Sequence, residues 1–315
     1  MKKYLIMTGI LISVIFHSCG RSGDNSYAPD PEAERLEKIG RLDTVSIQEK
    51  IYPDTISGFD DLAKFSAEAW ILVDDATGCV ISEKNAEKQM YMASLTKMMT
   101  CLIALESGHG GDSILLTDSN LVAEKTRVRV GESYLKEDLI REMMLVSDNG
   151  AAYALANHIA GDTLRFYDAM NEKARYLGMF NTHFASPNGL PNNNNYSTAR
   201  DMLALARYCM ADSLFAAIVG TAEQDIPLLD GRYLTCYNTN NMLRTYDGCI
   251  GIKTGFTYQA GACLAAAATR DGITLYSILL KSRNKALRFR ESAALMDYGF
   301  NVMKAYHEAC SQPLK

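Results

Sequence analysis

The chain alternates between two kinds of hydrophobic patterning. Trp70-Ile71-Leu72-Val73-Asp74 and Cys79-Val80-Ile81-Ser82 are short apolar runs around the turn Asp75-Ala76-Thr77-Gly78, which predicts two paired strands. The period then lengthens. Met98, Met99, Cys101, Leu102, Ile103, Ala104 and Leu105 leave almost no polar face before Gly108, so this helix belongs inside a domain. From Gly110 to about Arg232 helical spacing dominates. Helices are predicted over Leu139 to Val146, Ala151 to Ile159 and Leu164 to Leu177, the last ending at Gly178. Pro187 to Asn195 reads as a loop rich in turn-forming asparagine, and Ser197-Thr198 caps a helix to Met210. Strand signals return at Cys249 to Gly255. Cys263 to Ala268 and Ile273 to Leu280 form a hairpin around Asp271-Gly272, and Arg283 to Tyr298 is a closing helix.

Strands at both ends with a helical block between them predict an α/β (α+β) domain. An antiparallel sheet would be flanked by helices, with an α-helical subdomain inserted over about residues 110–232. With 315 residues, 48% of them hydrophobic, the chain can bury one large core or two small ones. The net charge of −5 and the lack of a long basic run argue against nucleic-acid binding.

The N-terminus reads as a processing signal. Lys2 and Lys3 precede an apolar stretch from Tyr4 to Phe16 that is short for a membrane span, and Ser18-Cys19 follows. This resembles a bacterial lipoprotein leader over residues 1–18, with Cys19 lipidated. The expected location is the periplasmic side of a membrane, held there by that lipid; an ordinary secretory signal is the alternative. Residues 19–55 are polar and breaker-rich and read as a flexible tether, with one short helix within Glu32 to Lys50 and the globular part beginning near Ile56. The seven cysteines after Cys19 show no metal-ligand spacing, and the histidines at 109, 158, 183 and 307 form no helical pair. No metal and no cofactor are expected.

The candidate chemistry starts at Ser94-Leu95-Thr96-Lys97. A serine needs a neighbouring base to act as a nucleophile, and a desolvated lysine three residues on can supply it. The tetrad alone says little. Ser133/Lys136 and Ser282/Lys285 repeat it, and a helix-capping serine with a surface lysine fits each. What distinguishes Ser94 is the apolar helix behind it and two further motifs, Ser147-Asp148-Asn149 at a helix junction and Lys253-Thr254-Gly255 closing a strand. A Lys-(Ser/Thr)-Gly triplet arises by chance in on the order of 0.1 chains of this length. In this order the three form the signature of serine acyl transfer in penicillin-binding proteins and class A β-lactamases. Ser94 would be the nucleophile and Lys97 its base. Ser147 would relay protons, Asn149 would bind a substrate amide, and Lys253 and Thr254 would hold a carboxylate. Gly255 would leave room for an extended peptide along the strand edge.

From about Ala67 to Phe300 the chain resembles the low-molecular-mass D-alanyl-D-alanine carboxypeptidases, serine peptidase family S11. The likeness lies in Asp74 to Gly78, Ala93 to Thr100, Phe166 to Leu190, Tyr196 to Asp201 and Asn238 to Gly261. It implies a DD-peptidase/β-lactamase-like fold over residues 56–315, trimming of peptidoglycan stem peptides that end in D-Ala-D-Ala, and acylation by β-lactams. It also implies oxyanion donors at the backbone N–H groups of Ser94 and Phe256. Members often carry a C-terminal β domain and a membrane-binding helix. The sequence to Lys315 shows neither, so the lipid on Cys19 is the expected anchor. Class A β-lactamases need a Glu-x-x-x-Asn loop between the second and third motifs. Only Glu172 and Glu223 lie there, followed four residues on by Tyr176 and Pro227. Endopeptidase action on cross-linked peptides uses the same residues and stays open, as does a non-catalytic sensor of muropeptides or β-lactams.

Overall fold

The computed structural model describes residues 31–40, 42, 45–108, 111–122 and 124–311. The leader, Cys19, the whole segment before Pro31, and His109 lie outside these residues. The described chain runs α1 (Pro31–Gly40), α2 (Val45–Gln48), α3 (Phe59–Leu62), β1 (Ala69–Asp74), β2 (Val80–Lys84), α4 (Lys97–Glu106), β3 (Ser113–Leu115), β4 (Ser133–Leu135) and α5 (Lys136–Leu145). It continues through α6 (Asn149–Ala160), α7 (Thr163–Tyr176), α8 (Ala199–Met210), α9 (Ser213–Gly220), β5 (Glu223–Pro227), β6 (Tyr233–Tyr237) and α10 (Met242–Thr245). The last elements are β7 (Cys249–Thr257), β8 (Gly261–Arg270), β9 (Ile273–Ser282) and α11 (Lys285–Ser311).

Five strands form one antiparallel sheet in the order β2-β1-β9-β8-β7. Its alternation divides the core in two. Ala69, Ile71 and Val73 of β1, Cys263, Ala265 and Ala267 of β8, and Tyr276, Ile278 and Leu280 of β9 face the helical block. The intervening Trp70, Leu72, Leu264, Ala266, Ala268, Leu275 and Leu279 pack under α11 through Leu295, Met296, Tyr298, Val302 and Met303. Both faces of the central strands are buried, so β1 reads as a continuous apolar run. β7 pairs only with β8 and is an edge. The strands and the inserted helical block are as the patterning predicts.

Three features differ. The helical block also holds two small hairpins, β3-β4 and β5-β6. Their strands are short, and exposed apolar residues such as Leu115, Leu135, Tyr233 and Tyr237 blur the alternation. The closing helix runs on to Ser311. Part of the supposed tether is docked: the Arg35 guanidinium lies 3.7 Å over the Tyr208 ring of α8 and bonds its carbonyl, Lys38 pairs with Asp75 at 2.7 Å, and Ile47 is buried in the α11-side core. Charged residues fix α1, so a composition that reads as a linker still packs.

α4 is buried along nearly its whole length and threads the middle of the helical block. Ser94 precedes it in a 3₁₀ turn over Ala93–Thr96, and the α-helix starts at Lys97. The loop after α7 passes directly against this turn. Gly189 sits at φ +79°, and a Cβ there would lie 2.0 Å from Ala93 O and 2.9 Å from Thr96 Oγ1. Gly189→Ala should therefore destabilise the fold by about 2–4 kcal/mol, combining left-handed strain with a backbone clash. Urea denaturation measures this as a lowered midpoint. A variant within about 0.5 kcal/mol of the parent would show that the two segments do not pack this closely.

Candidate active site

A cleft of about 430 Å³ opens between the β7 edge and the helical block. Ser94, Ser147, Asn149, Thr254, Gly255 and Phe256 line it, so the structure brings six of the sequence-named residues to one surface. Lys97 and Lys253 lie just beneath, with almost no exposure.

Lys97 is the centre of the hydrogen-bond network. Its Nζ is 3.0 Å from Ser94 Oγ, 2.7 Å from Asn149 Oδ1 and 2.8 Å from Asn188 O. Each partner comes from a different segment. The 3₁₀ turn gives the serine, the start of α6 gives the asparagine side chain, and the loop after α7 gives a backbone carbonyl. Thr100 Oγ1 holds that loop by donating to Pro187 O at 2.6 Å. Ser186 Oγ accepts the Gly189 N–H at 3.0 Å. Burial pushes the Lys97 ammonium well below the usual lysine range, and the neighbouring charge of Lys253 adds to this; Asp148 opposes both, while Lys125 assists.

The second motif is set by Asp148. Its carboxylate caps α6 by accepting the Ala151 N–H at 2.9 Å, and it also accepts from Thr126 Oγ1 at 2.8 Å and Arg127 N at 2.5 Å. This pins the 121–131 loop to the cleft wall. Ser147, at φ +65°, turns the chain out of α5 so that it faces the cleft. The Asn149 amide is largely engaged within the protein. Nδ2 donates to Glu124 O at 2.9 Å while Oδ1 accepts from Lys97, which leaves one N–H for a ligand.

The third motif is arranged differently from the expectation for one of its residues. The Lys253 side chain is fully buried, donates to Thr254 O at 3.2 Å and does not line the cleft. Burial, reinforced by Arg288, brings its pKa down to about 7. Gly255 lines the cleft and is also needed for the serine turn: a Cβ there would stand 2.9 Å from Met92 O and 3.1 Å from both Ala93 Cβ and Ser94 N. Thr254 Oγ1 does line the cleft, 2.7 Å from Thr239 Oγ1. The Thr239 N–H in turn donates to Leu145 O at 2.9 Å, tying the strand to the end of α5.

Four contributors carried no local signal. The Asn188 acceptor is a backbone carbonyl inside a run read only as turn chemistry. Arg288 reaches the cleft from α11, donating to Gly255 O at 2.9 Å, and its Nε has no partner among the described residues. Lys285 lies 4.8 Å above the Phe256 ring. Lys125 enters from the opposite wall. Among the described residues none lining the cleft carries a carboxylate, and its charged lining side chains, Lys125, Lys285 and Arg288, are all cations.

The two repeats of the Ser-x-x-Lys pattern are not sites. Ser282 is buried and donates to Glu291 Oε2 at 2.5 Å, while Lys285 is exposed. Lys136, for which a desolvated setting was not expected, is in fact buried. It turns away from Ser133 to bond Ser107 Oγ at 2.9 Å and the Gly108 carbonyl at the end of α4.

Residues 58–284 match the family model described as D-alanyl-D-alanine carboxypeptidase. The chain is 32% identical over 258 residues to D-alanyl-D-alanine carboxypeptidase DacC of Escherichia coli (strain K12), covering 76% of this chain and 62% of the relative. It is 28% identical over 248 residues to DacF of Bacillus subtilis (strain 168), covering 76% and 64%. It therefore spans a little under two thirds of the length of these relatives. The crystal structure of the Streptomyces K15 DD-transpeptidase superposes with a TM-score of 0.71 at 31% identity, over 75% of this chain and 97% of the other. A match across most of the chain, on the same fold, places this protein in the D-alanyl-D-alanine carboxypeptidase family.

Proposed function

We propose that the protein is a serine-type D-alanyl-D-alanine carboxypeptidase that removes the terminal D-alanine of peptidoglycan stem peptides through an acyl-enzyme on Ser94. The observation that carries this reading is the buried amine of Lys97, 3.0 Å from Ser94 Oγ in a cleft without carboxylates. A neutral amine has two N–H donors and one lone pair. Asn149 Oδ1 and Asn188 O take the donors, which turns the lone pair to the serine hydroxyl. Lys97 takes the Ser94 proton as Oγ attacks the carbonyl carbon of the penultimate D-alanine. The oxyanion is received by the backbone N–H groups of Ser94 and Phe256. The proton passes by way of Ser147 to the departing nitrogen, the C–N bond breaks and D-alanine leaves. Water then attacks the ester, its proton returns through Lys97, and Ser94 is restored.

The terminal carboxylate of the substrate meets Thr254 Oγ1 and the uncompensated Arg288, with Lys253 adding positive charge from beneath. Benzylpenicillin presents the same carboxylate beside an acylating carbonyl and acylates the same Oγ. Its leaving amine stays tethered to the acyl group, where D-alanine departs, so it obstructs the Lys97-assisted attack of water. The cleft offers no glutamate of the class A β-lactamase kind as a second route, and the adduct therefore persists. We also propose that the protein is exported and held at a membrane by a lipid on Cys19.

Incubation with a pentapeptide ending in D-Ala-D-Ala should release one equivalent of D-alanine, and benzylpenicillin should add once per chain, at Ser94. Ser94→Ala should abolish both, and Lys97→Ala should slow them by about 10³-fold or more. An adduct at Ser133 or Ser282, or rapid turnover of the drug, would overturn the assignment. A cross-linked peptide dimer run in parallel reads endopeptidase action.

Acylation requires neutral Lys97, so its rate should rise with pH through the lowered pKa of that residue. The charge on Lys253, present below about pH 7, helps keep Lys97 unprotonated. Lys253→Met removes that repulsion, so the ascending limb should move to higher pH. A limb that stays in place or moves down would show that the two amines are not coupled.

Cys19→Ser should shift the protein from the membrane fraction to the soluble fraction. Unchanged membrane association would exclude the lipid as the anchor.

A further inference from the structure

The cleft has more positive charge than one C-terminal carboxylate requires. Arg288 and Lys285 both belong to the β7 side: one bonds Gly255 O, and the other covers the Phe256 ring. Lys125 stands on the other wall. Its backbone carbonyl accepts the Asn149 N–H at 3.2 Å, and the preceding Glu124 carbonyl accepts from Asn149 Nδ2 at 2.9 Å. Asp148 grips the next two residues, Thr126 and Arg127, so the loop is fixed rather than loosely placed. The Lys125 side chain is exposed, lines the cleft and has no ion pair with a described residue.

We propose that Lys125 receives a second carboxylate, on the acyl side of the substrate. The preferred peptide then carries a free side-chain carboxylate on the residue preceding D-Ala-D-Ala, as a diacid amino acid does and lysine does not. This rests on the acyl-transfer reading above. An extended peptide with its C-terminal carboxylate at Thr254 and Arg288 and its scissile carbonyl at Ser94 continues past the Asn149 wall. Lys125 is the cation there, and its charge is not neutralised by any carboxylate lining the cleft. A cationic wall in a cleft concentrates anionic ligands and disfavours cationic ones.

The test compares two acylated tripeptides that differ by one carboxylate, with either 2,6-diaminopimelate or lysine before D-Ala-D-Ala. The quantity read is the ratio of kcat/KM for the two peptides within each protein. The parent should favour the diacid peptide by about tenfold at low salt, mostly through KM, and less at high salt. Lys125→Ala should bring the ratio to within about threefold of unity, and Lys125→Glu should invert it. The same ratio in all three proteins would overturn the proposal. So would an equal loss on both peptides, because tuning of Lys97 from a distance would slow each alike. Failure of the parent to release D-alanine from either peptide would instead overturn the acyl-transfer reading, and this inference with it.

Discussion

The architecture depends on burying an amine where it can both accept and give up a proton. An ammonium without water needs three acceptors, and a neutral amine needs two acceptors and one donor. Around Lys97, two sites are carbonyl oxygens, which only accept, and the third is a hydroxyl, which does either. Both charge states are therefore satisfied by one geometry. Transfer of the serine proton needs no rearrangement of the surroundings. Burial, helped by the nearby Lys253 and Lys125 and opposed by Asp148, tips the balance toward the neutral form. The fold exists locally to hold three chain segments at this point, and an all-apolar α4 is what lets them meet away from water.

Lys136 shows that a buried lysine beside a serine is not enough. Its partner Ser107 donates its own proton to Ala104 O at 2.9 Å, so that hydroxyl accepts from the lysine and cannot offer it a proton. Lys136 also bonds Gly108 O at the C-terminal end of α4, where the helix dipole favours a cation. Although burial lowers its pKa, Asp112 opposes the shift. The group is a helix cap. At Ser94 the partner of the hydroxyl is the lysine itself, and the charges of Lys253 and Lys125 act on it alongside the opposing Asp148.

Much of this was legible in the chain where a local pattern carries the physics. Apolar runs bounded by turn residues predict β1, β8 and β9, the Thr198 cap and apolar spacing predict α8, and the three motifs name side chains whose chemistry is explicit. What was not legible depends on contacts distant in sequence. The Asn188 carbonyl belongs to no side-chain pattern, and Arg288 meets Gly255 across 33 positions. Lys125 has meaning only because Asp148 folds its loop against the cleft. Gly255 has a further role of the same kind: besides lining the cleft, it leaves the space that the serine turn fills, which no strand pattern can announce. In the charged stretch before residue 55, α1 docks through an ion pair, an arginine–tyrosine stack and the apolar contact of Leu36, none of which its composition announces.

Three non-glycine residues beside the cleft hold left-handed backbone, Ala93 at φ +49°, Lys125 at φ +50° and Ser147 at φ +65°. Each conformation costs on the order of 1–3 kcal/mol unless the surroundings over-determine it. They do so here by different means. Ala93 is trapped between the loop at Gly189 and the strand at Gly255, both of which approach too closely for a side chain. Ser147 is followed by Asp148, whose three hydrogen bonds fix the start of α6 and the neighbouring loop together. The strain thus falls on the residue before Ser94, on Ser147 and on Lys125, across both walls of the cleft. Packing and hydrogen bonds elsewhere sustain it. A cleft held in this way presents its donors already oriented, so the cost of orienting them is met during folding rather than at the moment of reaction.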